Sequence, residues 1–393
     1  MYIILILLFL LLIVAVLFGA HWFLFFSLVN FFNINEASQK ILILILFILG
    51  ISFFVSAILS QPKKITTKIL RLPIIPPGFR KRYIWSENLI TRTYYFLSGI
   101  WLGFLNNLVL AAILVWIIIL FGKLLKFKMD TVILASPIFI VALALSIYAI
   151  WNALNPRLKN ITVSIPKLPK QWKNKKIIQI SDVHLGQVNQ KEFLEKIVSK
   201  INLVSPEMVL ITGDLFDGMD GILASVLQPL KKIDPPKGIF FITGNHETYL
   251  GLNNIFKEIK KTPIKVIRNE VLSISGLKII GIDYPEQGEK SDIISKLELL
   301  KKDYFGKPNI LLHHTPVNIS QIKKMGINLE LCGHTHNGQI FPFDLITKLI
   351  YRNYNYGLYS SGNYTLYTTN GVGTWGPTMR LGNIPEIVVI TLN

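Results

Sequence analysis

Four long apolar stretches crowd the first 153 positions, at roughly 2 to 32, 41 to 60, 94 to 122 and 131 to 153. Each is near the length of about 20 residues that a helix needs to cross a hydrocarbon core, so a helical membrane portion is the first constraint on the fold. The first stretch has the position of a signal peptide but no basic start and no clear cleavage site. It runs on through "HWFLFFSLVNFF" and is expected to remain as a span. His21 and Trp22 are expected near a membrane interface, in a structural role. Polar residues in the spans are few. Asn106 and Asn107 are expected to pair between helices of a bundle that anchors rather than transports.

Loop charge orients the spans. The second loop holds Lys63, Lys64, Lys68, Arg71, Arg80, Lys81, Arg82 and Arg92, whereas the first has only Lys40 and the third Lys123, Lys126 and Lys128. The positive-inside bias therefore places the second loop, the amino terminus and everything past the fourth span in the cytoplasm. Much of the net charge of +18 lies in such juxtamembrane segments, which suit anionic head groups; with no nucleic-acid-binding motif, the bilayer is the expected partner and nucleic acid is not. The single cysteine, Cys332, excludes an internal disulfide.

From about 155 the pattern changes. Positions 1–154 are expected to form the membrane domain and 155–175 a basic, proline-punctuated connector; in 176–393 short β-rich runs alternate with amphipathic stretches, the mark of an α/β domain. "KIIQIS" ends at Asp182, "EMVLIT" at Gly213-Asp214 and "GIFFIT" at Gly244-Asn245-His246, while "NILLHH" and "LELCGH" finish on histidines. Polar residues thus recur at the carboxyl ends of apolar strands, where open α/β sheets build their sites.

Six of the seven histidines fall in "SDVHLG", "GNHE", "HHTP" and "GHTH". With the aspartates they supply Asp182, His184, Asp214, Asn245, a histidine from "HHTP", His334 and His336. Imidazole, carboxylate and amide oxygen suit zinc, manganese or iron, and the set is too large for one tetrahedral ion but fits two ions sharing a carboxylate. Two cations about 3.5 to 4 Å apart clamp a phosphoryl group and acidify a water, which makes phosphate-ester hydrolysis the matching reaction. An acid for the leaving oxygen is still needed. His246 can supply it, with Asp217 as the expected carboxylate partner.

In this order, "SDVHLG", "GDLFDG", "GNHE", "HHTP" and "GHTHNGQ" resemble the signature blocks of the calcineurin-like metallophosphoesterase superfamily, over roughly residues 176 to 393. The resemblance implies a fold of two mixed sheets flanked by helices in four layers. It also implies that Asp182, His184, Asp214 and His336 hold one metal, that Asp214, Asn245, His314 and His334 hold the second, and that His246 with Asp217 is the acid or phosphate-contacting pair. His314 rather than His313 fits the family frame, in which a small residue precedes the histidine and X-Pro follows it. Asn337 stands where relatives often have glycine, and asparagine tolerates the left-handed backbone such a turn needs. Arg380 is a candidate phosphate ligand or a surface arginine, and Asp283 is expected in a strand-end turn.

Serine/threonine protein phosphatases of this superfamily place arginines where this chain has Gly218 and Thr243, which disfavours phosphoprotein substrates. The membrane attachment resembles the bacterial membrane-associated branch. That likeness implies an inner-membrane hydrolase of a lipid-linked phosphodiester or pyrophosphate, with UDP-2,3-diacylglucosamine as the specific candidate and two ions drawn from Mn²⁺, Fe²⁺/Fe³⁺ or Zn²⁺. A phosphoesterase acting on soluble nucleotides and a silent membrane scaffold are the alternatives.

Overall fold

The computed structural model describes residues 2–59, 89–218, 224–286 and 292–393. The basic residues Lys63 to Arg82, on which the expected orientation rests, lie outside the described residues. The chain divides into two compact units, Met1–Trp151 with Gly376–Met379, and Asn152–Trp375 with Arg380–Asn393.

The first unit contains helices α1 (Tyr2–Phe32), α2 (Glu36–Leu59), α3 (Leu89–Leu124) and α4 (Thr131–Ala153). All four are long and apolar enough to cross a membrane, and past the first turn of a helix each backbone N–H is satisfied within the segment. Buried Ala111, Ala112, Ala135 and Ala142 are small enough for close helix approach. Several polar side chains pair between helices: Trp101 Nε1 donates to His21 Nε2 at 2.9 Å, Trp116 Nε1 to Ser27 Oγ at 3.0 Å, and Asn107 Nδ2 to Ser146 Oγ at 2.8 Å. His21 Nδ1 also meets the Leu17 carbonyl at 2.8 Å, so this buried histidine has both nitrogens occupied by structure.

The second unit holds β1 (Arg157–Val163), β2 (Lys176–Ile180), α5 (Lys191–Val204), β3 (Met208–Thr212), β4 (Ile239–Ile242), α6 (Asn245–Leu250), α7 (Leu252–Ile259), β5 (Ile264–Val266), β6 (Glu270–Ile274) and β7 (Leu277–Ile282). There follow α8 (Ile293–Tyr304), β8 (Asn309–His313), α9 (Ile319–Lys324), β9 (Leu329–Cys332), α10 (Phe343–Ile350), β10 (Gly357–Ser361), β11 (Tyr364–Thr368) and β12 (Glu386–Leu392). They form two six-stranded mixed sheets, ordered β1-β12-β2-β3-β4-β5 and β10-β11-β9-β8-β7-β6. In the first, β2 to β5 run parallel and β12 antiparallel to β2; in the second, β11, β9, β8 and β7 run parallel and β10 and β6 close the edges antiparallel.

Strands β3 and β4 are apolar at nearly every position because both their faces are covered. One core lies between the sheets, with Ile177, Leu210 and Ile242 from the first meeting Leu277, Leu312 and Leu331 from the second. A second core packs α5 and α7 on the outer face of the first sheet, and a third packs α8 and α9 on the second. The architecture is therefore the four-layer sandwich that the resemblance implies. The stretch expected as a connector contributes β1, an edge strand that pairs in parallel with β12, so part of it belongs to the sheet. Its polar pattern hides the strand because only Val163 is buried.

Candidate metal centre

The expected site residues all stand just beyond strand ends. Asp182 and His184 follow β2, Asp214 follows β3, Asn245 opens α6 after β4, His314 follows β8, and His334 and His336 follow β9. Asp182, His184, Asp214, His334 and His336 all have positive φ, between 48° and 70°. Each such residue costs on the order of 1–3 kcal/mol, and a fully buried Ile or Leu returns about 1.5–3 kcal/mol, so the cores on either side can hold these strained loops in place.

Two groups of donors result. Asp182, His184 and His336 each offer an atom within 4.8 Å of the others. His184 Nε2 lies 3.0 Å from His336 Nε2, which lies 3.5 Å from Asp182 Oδ1. The second group is Asp214, His314 and His334. Here His314 Nε2 lies 3.1 Å from Asp214 Oδ2, 3.2 Å from His334 Nδ1 and 3.2 Å from Asn245 Oδ1. The same Asp214 oxygen stands 4.0 Å from His184 Nε2, so one carboxylate faces both groups.

Glycine makes these approaches possible at two points. At Gly213, with φ +95°, a Cβ would lie 2.5 Å from His314 Nδ1; at Gly333, a Cβ would lie 2.0 Å from Ser181 Oγ and 2.3 Å from Asp182 Oδ2. Asn337 takes φ 46°, the left-handed turn expected of it.

His246 is buried beside both groups. Its backbone N–H donates to Asp214 Oδ1 at 2.9 Å, and its ring lies edge-on to His184 with centroids 4.6 Å apart. The partner differs in detail from expectation. His246 Nδ1 donates to the Asp217 backbone carbonyl, whereas Asp217 Oδ1 stands 3.7 Å from His184 Nδ1. The tight Gly218 turn, whose Cβ would be 2.8 Å from the His246 carbonyl, brings the Asp217 main chain to the ring.

His313 and His314 part as strand alternation requires. The His313 ring joins Glu330 and Cys332 on the outer face of the second sheet. Glu330 Oε1 lies 3.3 Å from His313 Nδ1 and 3.4 Å from Cys332 Sγ, and Tyr364 OH donates to Oε2 at 2.6 Å. Both oxygens of this carboxylate already have partners, so the group reads as a buried polar brace.

Arg380 is neither a surface residue nor an open phosphate ligand. It is fully buried, donating through Nη1 to Asn383 Oδ1 at 2.9 Å and through Nη2 to the Gly373 carbonyl at 2.5 Å, with Nη2 also 3.1 Å from His336 Nδ1. Asp283 sits just past the end of β7, accepting from Thr243 Oγ1 at 3.0 Å and Arg268 Nε at 2.6 Å.

One residue with a large role has no such expectation. Glu247 is fully buried, and its carboxylate accepts from the backbone N–H of Asp214 at 3.0 Å, Phe216 at 3.1 Å and Gly244 at 2.6 Å. It ties the loop after β3 to the loop after β4. The "E" of "GNHE" is the only sequence signal, and nothing in its spacing says that it faces inwards.

Burial pushes His334 down to about 3 and holds His184 and His336 well below the usual imidazole range, so these rings are neutral, as ligands must be. Burial likewise pushes Asp182 up to about 6. Burial works against the charge on Asp214 too, but His314, His184 and His246 around it hold its carboxyl far below the ordinary range. Burial would lower His314, yet the adjacent Asp214 and Asp182 raise it to about 10.

These donors fit cations. Two nitrogens each about 2.1 Å from one ion lie roughly 3.0 to 3.4 Å apart, which is the spacing of His184 to His336 and of His314 to His334. Of two ring nitrogens that face each other at 3.0 to 3.2 Å only one can carry a proton, His314 draws its extra proton from the Asp214 and Asp182 charge that a cation would otherwise balance, and His184 Nδ1 is buried without a hydrogen-bond partner. A lone-pair-rich, water-poor cluster of this kind is stabilised by positive charge at its centre.

The family model described as "Calcineurin-like phosphoesterase" matches residues 175–338. An uncharacterized metallophosphoesterase of Campylobacter jejuni is 35% identical over 258 residues, which are 64% of this chain and 68% of that one. One from Aquifex aeolicus is 33% identical over 262 residues, 64% of this chain and 97% of that one. A zebrafish transmembrane protein with a metallophosphoesterase domain is 30% identical over 273 residues, 64% of this chain and 61% of that one. Four-layer fold, strand-end histidines and these likenesses agree: the chain belongs to the calcineurin-like metallophosphoesterase family and is a metal-dependent phosphoester hydrolase.

Proposed function

We propose that the chain is a membrane-anchored, two-metal phosphoesterase that hydrolyses a phosphodiester or pyrophosphate bond of a lipid-linked substrate. Asp182, His184, Asp214 and His336 would hold one ion, and Asp214, Asn245, His314 and His334 the other, drawn from Mn²⁺, iron or Zn²⁺. When bound, such a pair supplies charge for the phosphoryl oxygens and lowers the pKa of water. The observation that carries this reading is Asp214, whose one oxygen faces both donor groups.

His246 acts on the leaving group. Its Nδ1 donates to the Asp217 carbonyl, which fixes the tautomer and leaves Nε2, 4.0 Å from Asp214 Oδ2, as the atom that carries and delivers the proton. Arg380 Nη2 packs 3.1 Å from His336 Nδ1, the ring nitrogen opposite the one that faces His184 and Asp182. Buried Asp182 and Asp214 balance cations and, without them, repel an approaching phosphate. The basic second loop supports a bacterial inner-membrane location with the catalytic unit in the cytoplasm.

The lipid-linked substrate is supported by the four apolar helices, which are long enough to tie the chain to a bilayer. Detergent-purified protein with Mn²⁺ is expected to release UMP from UDP-2,3-diacylglucosamine. Turnover of an aryl phosphodiester without any UMP release would defeat the specific substrate and leave the reaction class standing.

Metal removal gives an independent readout. Chelation should lower the unfolding midpoint by several degrees, since a ligand at 100 times its Kd adds about 2.7 kcal/mol, worth roughly 2–4 °C per kcal/mol in a domain of this size. Added Mn²⁺ should restore the midpoint; a midpoint indifferent to both treatments would contradict the fit of the cluster to cations.

A further inference from the structure

We propose that α10 is an interfacial helix whose apolar face lies in the lipid head-group region of the bilayer, holding the His334–His336 loop at the membrane surface. The inference rests on the chain's membrane attachment and is independent of which phosphoester is cleaved.

The composition of α10 is unusual for a surface helix. Phe343, Leu345, Ile346, Leu349 and Ile350 are all exposed, as is Phe341 just before it, and none of its eight residues is buried. Leu349 is 82% exposed and Ile350 64%, which leaves a contiguous apolar strip in water if nothing covers it. The remaining side chains are those of an interface. Lys348 lies 4.0 Å from Asp344, and Tyr351 and Arg352 follow directly, an aromatic ring and a cation of the kind that sit at the head groups.

The helix is fastened to the metal centre at both ends. A Cβ on Gly338 would lie 2.2 Å from the Asp344 backbone nitrogen, so the first turn of α10 stands against the "GHTHNGQ" turn. At the other end, Asn355 Nδ2 donates to Asn337 Oδ1 at 2.6 Å and to Thr347 Oγ1 at 3.4 Å, and its carbonyl accepts from Thr335 Oγ1 at 2.5 Å. The Tyr351 ring is 6.2 Å from that of His334. Whatever seats α10 therefore also seats the two histidines.

A bilayer is the occupant because four helices of spanning length tie the chain to one, so that apolar phase is always within reach. Short amphipathic helices with cationic flanks bury such a face about 5–10 Å into the boundary between head groups and acyl chains.

The only native cysteine, Cys332, is fully buried, so a single introduced thiol can be labelled in the full-length protein. Leu349→Cys carrying an environment-sensitive dye, in nanodiscs of phosphatidylethanolamine and phosphatidylglycerol, should emit to the blue and lose most of its emission to lipids brominated near the head group. Leu299→Cys on α8, where Leu299 is 79% exposed, is the control and should respond to aqueous iodide instead. If the Leu349 label behaves like that control, the face is in water and the inference falls. Energy transfer between labelled copies without lipid quenching would also overturn it, assigning the face to a second copy.

Discussion

Asp214→Asn is expected to cut hydrolysis of an aryl phosphodiester by about a thousandfold or more, on the scale of losing a principal electrostatic group in an active site. The substitution keeps size and shape. It removes the charge that faces His184 at 4.0 Å and His314 at 3.1 Å from a single oxygen. It also swaps an acceptor for a donor in one of two places, either against the His246 backbone N–H that Asp214 Oδ1 now accepts or against His314. Both donor groups should therefore weaken together, with metal content falling as activity does. Circular dichroism should stay unchanged, because the cores lie between and outside the sheets rather than in this cluster. Activity within about tenfold of the parent would show that Asp214 is not shared.

Glu247→Gln should be the most damaging conservative change away from the donor groups, costing about 3 kcal/mol, or roughly 6–12 °C in the unfolding midpoint of the catalytic unit. Three backbone N–H groups converge on the Glu247 carboxylate, two on Oε2 and one on Oε1. An amide offers one oxygen and one NH₂, so at least one buried N–H would face another donor. Burial and the Asp214 charge push the Glu247 carboxyl up to about 8, against the pull of those three donors. Protonation would turn an O–H on a backbone N–H, so the geometry favours the carboxylate. Glu247→Gln should also depress activity, since the Asp214 and Gly244 main chain would lose its anchor. An unchanged midpoint would contradict the account of Glu247 as the tie between the two loops.

The histidines were legible because each ends an apolar strand, a pattern that needs only local order: "NILLHH" and "LELCGH" announce both strand and donor. The family frame, a small residue before the histidine and X-Pro after it, favoured His314 over His313. What local order hides is the partner brought from far along the chain. Arg380 reaches the His336 ring from 44 residues away, and β1 pairs with β12 at the opposite end of the unit. Main-chain contacts are invisible for a different reason. The aspartate three residues past Asp214 was the natural partner for His246, but a carbonyl is carried by every residue, and the Asp217 carbonyl makes the contact. Exposure is likewise unreadable. "FDLITKLI" has the spacing of a core helix, and only the fold leaves that face uncovered.

Electron paramagnetic resonance of the Mn²⁺-loaded, full-length protein, with metal counted on the same sample, settles whether one carboxylate joins two ions. The arrangement around Asp214 predicts two ions per chain with an exchange-coupled spectrum, and loss of that coupling in Asp214→Asn. One ion per chain, or two ions with uncoupled signals, would contradict it.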